Sequence, residues 1–221
     1  MLRSFIILSF FIFTSLCHAH MSVVTSDSLR DADLLFVVNT KGNAITAVTE
    51  GLSQLPIDHV AIFFMEGEKG SLSVIQADYR GVRVCALDSL WAESKPMADS
   101  VPPFILVGRV SVPFNVEQSV KNAFSYLGRS YDFDYMPSDD EIYCSELVQK
   151  SYVASNGTPI FSTVPMTFRD ANGCIPEFWE AHYKAKGIPV PEGEPGTNPG
   201  ELSRRAEVKI LGRLVLHHIR Q

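Results

Sequence analysis

The chain has 221 residues, enough for one domain with a substantial core and too few for two comfortable ones. With 46% apolar and 20% charged residues it is neither disordered nor collagen-like. A net charge of −6, and no basic run longer than Arg204-Arg205, argue against nucleic acid as a partner, because phosphates are bound by neutralising them.

The first nineteen residues stand apart. Arg3 supplies a positive n-region, Phe5 to Phe13 is an apolar run broken only by Ser9, and Cys17-His18-Ala19 offers small residues around a cleavage point. The run is too short for a membrane span, which needs about 20 residues. Residues 1–19 therefore read as a signal peptide, and 20–221 as a single secreted or periplasmic domain with no further transmembrane segment. Cys17 as a lipid-anchored residue is the minor alternative, poorly served by Leu16 before it. The mature chain keeps Cys85, Cys144 and Cys174, and an odd count in an exported protein leaves at least one thiol unpaired. Either Cys85 pairs with Cys174, or all three are separate buried thiols.

Asp33 to Val38 reads as a buried strand. Asn43 then caps a short helix with Ala44, Ile45, Ala47, Val48 and Leu52 on its apolar side, and Pro56 ends the turn after it. His59 to Met65 is a second strand. Gly67 to Gly70 turns it into a third at Leu72 to Ala77, favouring an antiparallel hairpin. Val82 to Leu87 is a fourth strand, Pro96 to Pro103 a loop, and Phe104 to Val110 a fifth strand. Asn115 and Gln118 make a capping-box-like pair for a helix that stops at Gly128. The polar turn Pro137-Ser138-Asp139-Asp140 leads into a helix from Ile142 to Ser155. An amphipathic stretch holds Trp179, His182 and Tyr183, residues 186–205 are Gly- and Pro-rich and expected to wrap the surface, and Val208 to Ile219 is a last strand. Strands first and helices afterwards predict α+β with one sheet.

Chemistry gathers around Tyr143-Cys144-Ser145-Glu146-Leu147-Val148. A thiol in the first turn of a helix meets unpaired backbone N–H groups, which favour thiolate and can hold an oxyanion. Asp139, Asp140 and Glu141 would oppose that charge if close, and are expected to cap the helix and face solvent. A proton partner is needed, and histidine suits neutral pH. His59 opens an apolar strand directly after Asp58, so it must find a hydrogen bond or carry a function. By contrast, His20, His217 and His218 lie near the chain ends, and His182 reads as a surface or packing residue. Gln76, on the strand paired with that of His59, is the candidate to orient the ring, and otherwise simply faces solvent. Neither Cys-x-x-Cys nor His-x-x-x-His spacing occurs, so neither a metal nor another cofactor is expected.

These residues carry a resemblance. Asp33-Leu34-Leu35-Phe36, Asp58-His59-Val60-Ala61-Ile62, Ile75-Gln76-Ala77, Tyr131-Asp132-Phe133-Asp134 and Asp139 to Val148 resemble the YiiX/YebB group of permuted papain-like amidases, relatives of the NlpC-type cell-wall peptidases. The stretch Pro195 to Arg204 is similar to that family's C-terminal segment. The resemblance implies a papain-like, circularly permuted α+β fold, with an antiparallel sheet packed on helices. It implies a catalytic triad of Cys144, His59 and Gln76, and a substrate-binding role for Tyr143. Many relatives have glutamate where this chain has Gln76, so the third role is the least secure. The implied activity is hydrolysis of an amide, in a cell-wall peptide or a small amino-acid amide, through a cysteine thioester. The alternatives are a lipid-directed thioesterase or acyltransferase on the same triad, and an inactive binding module. Oligomeric state is left open.

Overall fold

The computed structural model describes residues 21–67, 70–94 and 104–216. The expected signal peptide with Cys17, His20, the Pro96 to Pro103 loop, and His217 to Ile219 lie outside the described residues.

In chain order the elements are β1 (Val23–Thr25), β2 (Leu34–Val38), β3 (Ile57–Glu66), β4 (Ser71–Asp78), β5 (Gly81–Ala86), α1 (Leu87–Glu93), β6 (Phe104–Val110), α2 (Val116–Phe124), α3 (Cys144–Ser151), β7 (Val164–Pro165), α4 (Glu177–Lys186), β8 (Pro195–Gly196), α5 (Pro199–Leu202) and β9 (Val208–Val215). Seven strands form one sheet in the order β1-β9-β6-β2-β3-β4-β5, and β7 pairs with β8 apart from it. Every pairing in the large sheet is antiparallel except β1 with β9. The α+β architecture with an antiparallel sheet against helices is thus as expected, with a parallel edge added.

β2 is buried along its whole length because both faces of the sheet are covered. Leu34, Phe36 and Val38 pack with Val60, Ile62 and Ile75 toward Ala123 of α2 and Leu147 and Val148 of α3. Leu35 and Val37 face the other way, with Ala61, Phe63, Val74, Leu87 and Leu90. The buried Asp33 at the head of β2 is matched by Arg109 of β6, whose Nε and Nη2 each donate at 2.7 Å. That bidentate geometry offsets the cost of removing a carboxylate from water.

Five local expectations need correction. Asn43 does cap a turn, its Oδ1 accepting from the N–H groups of Ile45 and Thr46, but no helix follows. Packing wins there: Ala44, Ile45 and Val48 turn onto Met166, Phe168 and Trp179. The strand expected to reach Leu87 ends at Ala86, and Leu87 starts α1, a helix whose buried residues Leu87 and Leu90 close the second core. The helix expected over Ile142 to Ser155 is only Cys144–Ser151. Cys85 and Cys174 are not paired; all three described cysteines are free, Cys85 on β5 beside Gln76 and Cys174 in an exposed loop closed onto Asp170.

The fifth concerns the Gly- and Pro-rich segment. Residues 187–189 are exposed as expected, yet Gly196, Thr197, Pro199, Gly200, Leu202 and Ser203 are buried. Close approach explains the glycines. A Cβ on Gly196 would stand 2.4 Å from Met166 Sδ, and one on Gly200 would stand 2.7 Å from the Glu50 carbonyl oxygen. Asn198 caps α5 by accepting from the Glu201 N–H, and Ser203 Oγ accepts from the Leu52 N–H. This segment is a wedge into the site, not a surface wrap.

Candidate active site

The β3–β4 ladder runs from the Glu66–Ser71 pair to the Ile62–Ile75 pair and stops there. Beyond it β3 carries His59 and β4 carries Gln76, which is held on its far side by pairing with Arg83 of β5. A bulge helps aim the histidine: Val37 opposes His59 and Val38 opposes Ile57, so Asp58 is the extra residue. As a result Asp58, His59, Gln76 and Asp78 all line one polar cleft of about 600 Å³, with Lys41, Arg80 and Glu93.

His59 Nε2 lies 2.7 Å from Gln76 Oε1. An amide oxygen only accepts, so Nε2 is the donor, and Nδ1 is left for the other side of the ring. Cys144 lies close enough to raise the imidazole. Burial pulls the imidazole down, but the Cys144 contact, the Gln76 bond and the Asp58 charge outweigh it and push His59 up to about 9. Gln76 is buried at 1% exposure rather than facing solvent.

Cys144 is the first residue of α3, and the side chain of Tyr143 makes no cap bond to that helix. Tyr143, in extended conformation, is the residue before it. Asp139, Asp140 and Glu141 are exposed as expected but do not cap; Asp139 instead pairs with Lys150. The free N–H groups of the first turn are consequently available beside the sulfur. Two backbone bonds lace this start to the preceding loop, from Ile142 to Ser130 at 2.9 Å and from Asp132 to Ile142 at 3.4 Å.

That loop holds residues the sequence reading had quoted but given no role. Asp132 is buried, and its carboxylate accepts N–H bonds from Asp134, Tyr135 and Met136 at 2.7 to 2.9 Å. These bonds hold Tyr135 at φ 53°, a left-handed conformation that is costly for an aromatic residue. The Tyr131 and Tyr135 hydroxyls hydrogen-bond each other. Burial first, then the nearby Cys144, raises both phenols, Tyr135 to about 12, so both stay neutral. The signal for them was the Tyr131 to Tyr135 run itself, where two tyrosines bracket two aspartates.

Tyr143 is buried and held by several contacts. Its hydroxyl accepts from the Thr197 N–H at 3.2 Å and contacts Met166 Sδ at 3.9 Å, while its ring packs on Tyr135. It is one wall of an apolar pocket that also includes Cys144, Tyr131, Met166, Phe168 and Trp179. His182 lies on α4 near Asp134, with its ring on Phe178 and Trp179, the packing role expected. Glu146 is buried against Lys150, and burial pushes it up to about 7 despite that partner.

A helix-start cysteine facing a sheet-borne histidine, on an α+β frame in which the histidine strand comes first, defines the papain-like cysteine hydrolases in permuted order. A model of the permuted papain-like amidase enzymes of the YaeF/YiiX type, the C92 peptidase family, matches residues 28–211, and the chain belongs to that family. Among solved structures, the crystal structure of the metalloprotein YiiX from Escherichia coli O157:H7 is similar at a TM-score of 0.61 and 21% identity. The match covers 83% of this chain and 97% of that one, and it speaks for the shared fold. No curated protein matches the chain.

Proposed function

We propose that this amidase-family chain hydrolyses an amide through a thioester on Cys144, with His59 as proton carrier and Gln76 as the group that orients it. The observation carrying this reading is the His59–Gln76 bond of 2.7 Å, with Cys144 near enough to raise the imidazole. In the proposed sequence the sulfur attacks the carbonyl carbon, and the N–H groups at the start of α3 hold the oxyanion. His59 gives its proton to the leaving nitrogen, then takes one from water as hydroxide opens the thioester, restoring the thiol.

The first substrates to screen are cell-wall peptides and small amino-acid amides, with residues 1–19 acting as the export signal. The apolar walls around Cys144 favour a second reading, an apolar acyl group, of which the pocket of about 40 Å³ admits only a short one. Amides and thioesters matched in acyl length separate the two. In this chain no group of three His, Cys, Asp or Glu side chains suited to a metal is found among the described residues, and the proposed steps use none.

Iodoacetamide labelling of Cys144 across pH 4 to 9, mapped by mass spectrometry, tests the pair. Fast labelling below pH 7 that is lost in His59→Ala supports it. A Cys144 that labels slowly and ignores His59 overturns it in favour of an inactive binding module.

A further inference from the structure

A glutamine in the third position raises a problem that a glutamate does not. The two ends of an amide have nearly the same shape, but one only accepts hydrogen bonds and the other only donates. Turned over, Gln76 would aim its NH₂ group at His59 Nε2, and that nitrogen would have to give up its proton. Some other group must keep the oxygen toward the ring.

Gln76 Nε2 donates to Cys85 Sγ at 3.3 Å and to Asp78 Oδ2 at 3.5 Å. A thiol can donate as well as accept, so Cys85 tolerates either orientation. An ionised carboxylate tolerates only one. Burial works against the Asp78 charge, but bonds from Arg80 and Arg83 outweigh it and hold the group at about 2. Arg83 reaches Asp78 Oδ2 through Nε at 2.9 Å and Nη2 at 2.6 Å, and Arg80 Nη2 reaches it at 2.8 Å. Both arginines also bond Glu93 of α1, which anchors the cluster at the rim of the cleft.

We propose that Asp78 is a positioning residue: by accepting from Gln76 Nε2 it locks the amide with its oxygen on His59 Nε2, which keeps Nδ1 toward Cys144. This rests on the triad reading above. The charged and titratable groups around the ring are Asp58 on its own strand, Asp78 on β4, Arg83 and Cys85 on β5, Glu93 on α1, Cys144 on α3, and Lys41 and Arg80 along the cleft. Among them only Asp78 meets the donor end of the amide as an obligate acceptor.

The test compares iodoacetamide labelling of Cys144 at pH 7, and the His59 titration by NMR, in wild type, Asp78→Asn, Gln76→Glu, the double variant and His59→Ala. Asp78→Asn is expected to slow labelling about tenfold, the scale on which groups orienting a functional histidine act, and to lower the pH at which His59 titrates. In the Gln76→Glu background the same change should cost less than about twofold, because either carboxylate oxygen accepts and nothing needs locking. Equal losses in both backgrounds would make Asp78 a strut for the arginines and overturn the proposal. So would an Asp78→Asn protein with unchanged rate and titration. Unchanged labelling in His59→Ala overturns the triad reading and this one with it. Loss there, with none in Asp78→Asn, removes Asp78 alone. The unaltered protein offers a check that needs no variant to fold: nuclear Overhauser contacts from the Gln76 amide protons to Cys85 Hβ are expected, and contacts to the His59 ring would overturn the assignment.

Discussion

The two sides of the site are built by opposite means. On the histidine side the ring is held by directional bonds, from Gln76 backed by Asp78, and Asp58 beside it is fixed by Asn39 and Asn43 at 2.8 and 2.7 Å. On the cysteine side Trp179, Tyr135, Phe168 and Tyr183 meet largely edge to face, and few polar groups reach the pocket. The difference follows from what the proposed chemistry asks of each side. A proton moves along a defined line, so its carrier needs an orientation, which hydrogen bonds supply. Hydrophobic burial is non-directional and supplies shape, which suits holding an acyl group.

If that division is correct, each side fails in its own way. His59→Ala should give the largest effect, lowering turnover of any amide the protein accepts by about 10²- to 10⁴-fold. It should also change the pH dependence of stability. A folded-state value of about 9 against 6.5 gives a contribution that is complete below pH 6.5 and lost as pH rises through 9. Urea melts at intervals from pH 6 to 10 should show that fall in wild type and a flatter profile in the variant.

Trp179→Ala attacks the other side. The indole is buried, with Nε1 donating to the Ala44 carbonyl at 3.1 Å. Its loss should cost about 3–5 kcal/mol in urea denaturation, while the His59 titration read by NMR stays where it was. A shift of that titration would show that the two sides are coupled.

Asp132→Asn should cost about 2 kcal/mol, because an amide cannot serve all three N–H groups that the carboxylate now accepts. Circular dichroism melts measure that, and the Tyr135 ring resonances should broaden as its left-handed backbone is released. The smallest effect is expected from Asp58→Asn. Asp58 is the last-ranked influence raising His59, so the titration midpoint should fall by less than about one pH unit, with stability little changed.

The sequence was most informative where one side chain and its neighbours carry the signal. β2, β3, β4 and β6 were readable because runs such as Leu34 to Val38 are apolar on both faces. The Asn115 cap was readable because it is a local bond, made as expected to the Gln118 N–H at 3.0 Å. Cys144 and His59 were found by the chemistry of a thiol at a helix start and a histidine on an apolar strand. Their separation by 85 positions is closed only by the fold.

Other features had no local signature. The Asn43 segment carries a cap and helical spacing, yet Ile45 and Val48 are claimed by Trp179 and Met166 from far along the chain. The wedge at Gly196 to Ser203 reads as loop by composition, because close backbone approach needs the same glycines as a turn does. The direction of the Gln76 amide was beyond any sequence reading, since it depends on Asp78, Arg80 and Arg83 meeting across β4 and β5. The sequence by itself determined which residues are apolar in strand or helix rhythm and which carry reactive groups. Tertiary structure decided which of those groups face one another, because burial and hydrogen-bond geometry depend on partners distant in the chain.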